Sequence, residues 1–167
     1  MSTQTISDPG NPSAWQSGLL VALRFMTGWH LLYEGIVKLL KPEWSSLAFL
    51  RESQGIFAGI ADWIVSNPSV LTVVDSLNTW GLILIGAGLI LGLFTRTAAF
   101  AGAALLGLYY LFNPPFIGMA TAIPMEGNYL IVNKNLIEAT VLLLIAISPA
   151  ARSFGLDSLF HIKNAEN

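Results

Sequence analysis

The stretch GLILIGAGLILGLFTRTAAFAGAALLGLYYLFNPP, residues 81–115, contains one formal charge, Arg96. It holds most of an apolar run at 77–94 and all of a second at 97–112, which Asn113-Pro114-Pro115 stops. As helices these runs span about 24–27 Å. That is slightly short of a roughly 30 Å hydrocarbon core, a mismatch that local thinning or polar ends absorb. On length alone the later run could be a buried helix of a soluble protein. Two further runs decide the matter: residues 15–40, ending at Pro42, and residues 128–148, ending at Pro149. Four such runs with few charges between them describe a membrane bundle.

Composition agrees. The chain has 167 residues, 54% of them hydrophobic and 11% charged, with a mean hydropathy of +0.64. A soluble domain is about 25% charged. This argues against a soluble enzyme, a nucleic-acid binder and a disordered chain. A net charge of −2 offers no basic footprint for phosphate backbones. The absence of Cys excludes disulfides, thiol redox, Fe–S ligation and Cys-zinc sites. Residues 1–14 read as a flexible polar tail. No Lys or Arg precedes Arg24 and no cleavage site follows an apolar core, so a signal peptide is not expected. Residues 151–167, with His161, read as a polar C-terminal tail. Four crossings put both termini on one side; Arg96, Arg152 and Lys163 there, against Lys38, Lys41, Arg51 and Lys134 in or near helices or in the long loop of the other side, favour cytoplasmic termini.

The long connection between the first two runs contains an amphipathic segment, residues 43–66. Leu47, Leu50, Phe57, Ala61 and Ile64 recur at helical spacing, with Arg51, Glu52 and Asp62 off that face. It reads as a helix on the bilayer or capping the bundle, with a lid over a cavity as the sharper alternative. Asn67-Pro68 breaks it before a short apolar stretch, Val70 to Val74. Gly88 and Gly92, then Ala99, Ala103 and Gly107, give small-residue spacing suited to close helix contact. Trp15, Trp44, Trp80, Tyr109, Tyr110 and Tyr129 fit an interfacial aromatic belt.

Ionisable residues within apolar runs are costly in a bilayer and usually face the bundle interior or water. The first run carries Arg24, His30, Glu34 and Lys38, which share about a third of a helix at about 100° per residue. The fourth carries Lys134, Asn135 and Glu138, with Asn128 at its start, and these share a face from which Asn133 points away. The end of the first run and the start of the fourth lie at the same membrane face. His30, Glu34, Lys38, Lys134 and Glu138 can therefore form one network: Glu34 with Lys38 or Lys134, and Glu138 with Lys134 or His30. Arg24, roughly 20 Å from Lys38 along the axis, belongs near the opposite face. Neutral pairing that fixes helix register is one reading. Binding a polar ligand head, or relaying protons through His30, Glu34 and Glu138, is the other. No H-x-x-x-H or E-x-x-H spacing supports a metal.

These residues resemble the DoxX family of small four-helix bacterial membrane proteins, including its DoxD-like branch. LRFMTGWHLLYEGIVKLLKP, residues 23–42, is similar to the family's opening pattern through Arg24, Gly28, Gly35 and Lys38. Residues 81–115 look like its central hairpin, with Gly92, Thr95 and Arg96 in the turn. NKNLIEATVLLLIA, residues 133–146, looks like its last helix through Asn135 and Glu138, and FLRESQGIF, residues 49–57, resembles the DoxD-like amphipathic segment. The resemblance spans residues 19–150. It implies an inner-membrane protein associated with quinone-linked oxidation, as in thiosulfate:quinone oxidoreductase, alongside a second subunit.

The expected fold is thus all-α, an integral membrane four-helix bundle with an amphipathic helical insertion between its first two helices. The expected role is a bacterial inner-membrane subunit of a quinone-linked oxidoreductase. Glu34, Glu138 and His30 would handle protons, and Arg24, Lys38, Lys134 and Asn135 would bind the quinone. No haem, Fe–S cluster or metal is expected. The lipid bilayer and a second subunit or a second copy are the expected partners. A transporter or ion pathway and a non-catalytic scaffold are the alternatives.

Overall fold

Ser13 starts the first helix with a reciprocal cap: its Oγ accepts from Gln16 N, and Gln16 Oε1 accepts from Ser13 N at 2.8 Å. A computed structural model of the chain describes residues 13–54, 56–115, 130–152 and 154–157. Its helices are α1 (Ala14–Leu39), α2 (Leu47–Arg51), α3 (Ala58–Ser66), α4 (Pro68–Leu91), α5 (Thr95–Phe112) and α6 (Lys134–Ile147), followed by a 3-10 turn, Pro149–Arg152. The described residues include no strand.

The four long helices close into a ring. α1 packs chiefly on α4, α5 chiefly on α6, and α4–α5 and α1–α6 contacts join the pairs. Gly28 of α1 faces Gly86 and Leu89 of α4, while Gly35 faces Leu82 and Ile83. Rising numbers on one helix meet falling numbers on the other, so α1 and α4 are antiparallel. At the centre, Gly102 of α5 touches Leu31, Ile85 and Leu142, one side chain from each other long helix.

The outer faces are apolar. Phe25, Met26, Trp29 and Tyr33 of α1, Leu77, Trp80 and Leu84 of α4, and Ile137, Leu143 and Ile147 of α6 are all exposed. Apolar surface on this scale marks contact with a membrane or a partner. Among the described residues one helix, Pro68–Leu91, is long and apolar enough by itself to cross a membrane. α1 is longer but carries Arg24, Glu34 and Lys38. α6 has 14 residues, about 21 Å.

Several boundaries differ from the sequence reading. The run at 77–94 is part of a longer helix, because Pro68 sits in the first turn of α4, where its missing N–H costs nothing. Val70 to Val74 are therefore its opening turns rather than a separate stretch. The segment 43–66 is two helices, α2 and α3, not one. Leu50, Ala61 and Ile64 bury themselves against Val70, Leu71, Val74 and Phe112, so the pair caps one end of the bundle, while Ile56, Ile60 and Trp63 stay exposed. Ser53 Oγ donates to Phe112 O, Asn113 Nδ2 donates to Phe49 O, and Ser46 N and Oγ both donate to Asp75 Oδ1. Gly88 of α4 lies against Ala98 of α5, where a Cβ would meet the alanine methyl at 3.3 Å. Gly92 ends α4 at φ 63°, and Gly88 O accepts Leu93 N in the same turn. Ala99 and Ala103 are buried in the core, and the tightest approach, between α1 and α4, uses Gly28, Gly35 and Gly86. Gly107 has open space around its Cβ position. Asn128, Tyr129, His161 and all but the last two residues of the 1–14 tail lie outside the described residues.

The start of the C-terminal segment is docked rather than free. Asp157 accepts from Phe94 N at 2.8 Å and Thr95 N at 2.9 Å, and its own N–H donates to Gly92 O. It thus caps α5, whose own N-cap residue is Phe94. Burial pushes the Asp157 carboxyl up, but the hydrogen bonds from Thr95 and Phe94 and the nearby Arg24 charge outweigh it and hold the group below its ordinary value. A depressed carboxylate contributes stability that is present above its unfolded value and is lost as pH falls through the folded one. Asp157→Ala should therefore lower stability by about 1 kcal/mol near neutral pH. The difference from wild type should shrink once the pH drops below the ordinary Asp range. Thermal melts of both proteins across pH check this; a difference independent of pH would remove the carboxylate from the account.

Candidate functional site

Two cavities are lined by residues of both α1 and α6, one along the middle of α1 and one at its C-terminal end. The larger, about 700 Å³, is a groove between α1 and α6. Leu23 and Met26 on one wall and Val132, Ile137 and Val141 on the other make it mainly apolar. Thr27 lines it too, but its hydroxyl is turned back to Leu23 O in its own helix. The reactive groups in the wall are His30 and Glu138, with Lys134 and Asn133 at the α6 end. Asn133 lines the groove rather than pointing away from it, and its Oδ1 caps α6 by accepting from Leu136 N at 3.0 Å.

His30 Nδ1 stands 2.7 Å from Glu138 Oε1. The His30 side chain is 33% exposed and that of Glu138 10%, so the histidine faces the groove and the carboxylate backs it. Glu138 Oε2 is buried and has no hydrogen-bond partner. A buried carboxylate oxygen without a donor is costly, and the groove is where a donor can reach the pair. With Glu138 ionised, His30 Nδ1–H donates to it, and Nε2 is fixed as an acceptor. One added proton on the pair turns Nε2 into a donor. The pair can therefore switch the polarity it shows to a bound ligand.

The smaller cavity, about 310 Å³, lies under the turn before α2, between Trp44, Phe49 and Tyr109. Lys38 enters it, its side chain 15% exposed. The Lys38 ammonium lies 5.0 Å from the Trp44 ring centre and 5.7 Å from that of Tyr109. Nζ donates to Asn78 Oδ1 at 3.4 Å, and Tyr109 Oη donates to the same oxygen at 2.8 Å. Asn135 of α6 completes the wall. The α2 region is thus both a cap on the bundle and a roof over a cavity.

The single network expected from sequence is therefore divided. His30, Glu138 and Lys134 share the groove; Lys38 and Asn135 share the small cavity. Glu34 lines neither. Its side chain is 48% exposed, and its carboxylate is 4.0 Å from Lys38 Nζ. Of the alternative pairings, Glu138 takes His30 and Glu34 takes Lys38. Arg24 is at the far end, as its depth required. It is 5% exposed and Nη1 donates to Ala151 O at 2.7 Å and to Phe154 O. Asn78, Trp44 and Tyr109 were not recognised as site residues from the sequence. The only sequence signal for Asn78 is a lone amide in an apolar run, and the two rings read as membrane belt.

A family model, DoxX, matches residues 19–113. The chain belongs to the DoxX family. The match runs from α1 to the C-cap of α5 and includes His30, Lys38, Asn78 and Tyr109, whereas Glu138 and Asn135 on α6 lie beyond it. No curated protein and no solved structure matches the chain. As a DoxX member it is a membrane protein, and its exposed apolar faces are the corresponding physical feature. Within this DoxX fold Arg24 holds the docked C-terminal segment rather than the groove. Arg24→Met would leave the carbonyls of Ala151 and Phe154 without their donor. It should cost about 1–3 kcal/mol of stability while leaving ligand retention unchanged. Loss of ligand with unchanged melting would return Arg24 to the site.

Proposed function

We propose that this DoxX protein crosses the bacterial inner membrane with α1, α4, α5 and α6, both termini cytoplasmic, and serves as the membrane subunit of a quinone-linked oxidoreductase. The observation that carries the reading is the His30–Glu138 pair in the wall of an otherwise apolar groove. The groove's size suits a flat ring with an apolar tail, and the orphaned Glu138 Oε2 marks a place for a polar ligand group. Tilt and the polar ends of the shorter α6 meet the hydrocarbon thickness.

A bound quinone would supply a carrier for two electrons and two protons. The chain's own part is binding, orientation and proton handling. Leu23, Met26, Ile137 and Val141 hold apolar surface out of water. In its protonated form the His30–Glu138 pair presents Nε2–H to a carbonyl oxygen; in its deprotonated form it presents an acceptor to a hydroxyl. Glu138 positions the ring and stabilises its charge. Lys134, at the α6 end of the groove, places a positive charge near the ligand's polar end. Electrons come from a second subunit or directly from the donor, because a chain without Cys holds no thiolate-ligated cluster.

Native mass spectrometry in mild detergent, with lipid extraction, tests the reading. The expected result is quinone retained by the wild type and lost in Glu138→Gln. An empty wild-type protein that carries a stoichiometric partner would instead make the chain a scaffold and the pair a device for helix register.

A further inference from the structure

The smaller cavity is not used by this role. It is separated from the His30–Glu138 groove by its own set of walls, and no lining residue is shared between them. Its chemistry is lopsided. Lys38 is the one charged residue among its described lining residues, and no carboxylate lines it. Of the nearby acids, Asp75 is engaged with Ser46 N and Oγ, and Glu34, half-exposed and outside the cavity, pairs with Lys38 only at the 4.0 Å limit of an ion pair. Among the described residues Lys38 makes a long bond to Asn78 and a loose ion pair with Glu34, so an ammonium with three donors retains capacity. Asn78 Oδ1 is occupied by Lys38 and Tyr109, which leaves its amide nitrogen as a donor. The remaining wall is three aromatic rings, Trp44, Phe49 and Tyr109, with Ser45, Ser46 and Ala48. The space equals that of about ten waters.

We propose that this cavity binds a small amphiphilic organic anion, its carboxylate-like or phosphate-like head on Lys38 and its apolar body against Trp44, Phe49 and Tyr109. Lys38 supplies the counter-charge, and Asn135 and Asn78 supply amide donors. The cation–π contacts keep the ammonium at the cavity wall when no anion is bound. An anionic lipid headgroup and a soluble aromatic carboxylate share this chemistry.

Benzoate and its neutral isostere benzamide separate charge recognition from ring stacking. Calorimetric titration of the full chain in phosphatidylcholine nanodiscs should show saturable benzoate binding, with benzamide weaker by about ten- to hundredfold. Lys38→Met should lose benzoate by a similar factor, while Lys38→Arg keeps most of it. Asn135→Leu, which leaves the charge in place, should weaken benzoate by about three- to tenfold and covers the case in which Lys38→Met fails to fold. If a lipid is the occupant, phosphatidylglycerol in the nanodisc will block benzoate, and native mass spectrometry will find one anionic lipid that Lys38→Met loses. Free phosphatidylglycerol sites with benzoate still bound identify the soluble anion. Equal binding of benzamide and benzoate, undiminished binding by Lys38→Met, or neither benzoate nor a retained anionic lipid would overturn the proposal. Quinone retention should be unchanged in Lys38→Met, so failure of this site and failure of the groove are read separately.

Discussion

Glu138→Gln should leave the bundle folded and remove quinone-dependent turnover. The amide keeps an oxygen for His30 N–H at a contact that is now 2.7 Å, so packing and melting temperature should change little. What disappears is the charge that lets the pair hold and release a proton. Loss of a positioned acid–base group costs about 100- to 10,000-fold, and the same range is expected here. His30→Gln should fall into it too, and the double variant should be no worse than the poorer single one, because the two residues act as a unit. Multiplicative losses, or turnover that survives Glu138→Gln, would separate the pair from the chemistry. Falling yield and melting temperature in step with turnover would make Glu138 an architectural residue.

The second large effect concerns α1 and α4. A Cβ on Gly86 would lie 2.4 Å from Leu32 N, 2.6 Å from Gly28 O and 2.7 Å from Leu32 Cα. All three atoms are backbone, so no side chain can rotate away. Gly86→Val forces the helices apart along the most extensive contact of the bundle and should cost more than about 3 kcal/mol. Little folded protein should be recovered by size-exclusion in detergent. Gly107→Ala is the control. Its Cβ meets nothing within 4 Å, and in α5 the change should be neutral or stabilising by up to about 1 kcal/mol. Equal behaviour of the two variants would contradict the close approach.

Much of the candidate site was visible in sequence because of where charges stand. An ionisable residue in an apolar run is conspicuous whatever the fold, and His30, Lys38, Lys134 and Glu138 were found that way. Depth along a helix is equally local: counting residues separated Arg24 from the others, and its bonds to Ala151 and Phe154 lie at the far end. Azimuth was harder. A helical wheel places Glu34 beside His30 and Lys38, yet α4 and α6 cover only part of that face, and Glu34 remains half-exposed. The division between two cavities depends on α2, whose roof over Lys38 comes from a turn that no periodicity specifies. Trp44 and Tyr109 were legible as aromatic residues near helix ends; that they face inward on an ammonium was not.

Hydropathy, Gly, Pro and capping residues act within a few positions, so the all-α class, the long apolar helices and the apolar exterior are legible in the chain, while the extent of α4 and the split of 43–66 into α2 and α3 are not. Pro68, Gly92 and Pro114 punctuate the chain by local backbone constraint. Which side chains become partners depends on how the helices assemble. His30 meets Glu138 across 108 positions, Gly86 takes the tight approach to α1 while Gly88 faces Ala98 of α5, and Asp157 returns to cap α5. Each of these is settled by which faces meet once four helices close around Gly102, a condition on the whole chain that no local stretch contains.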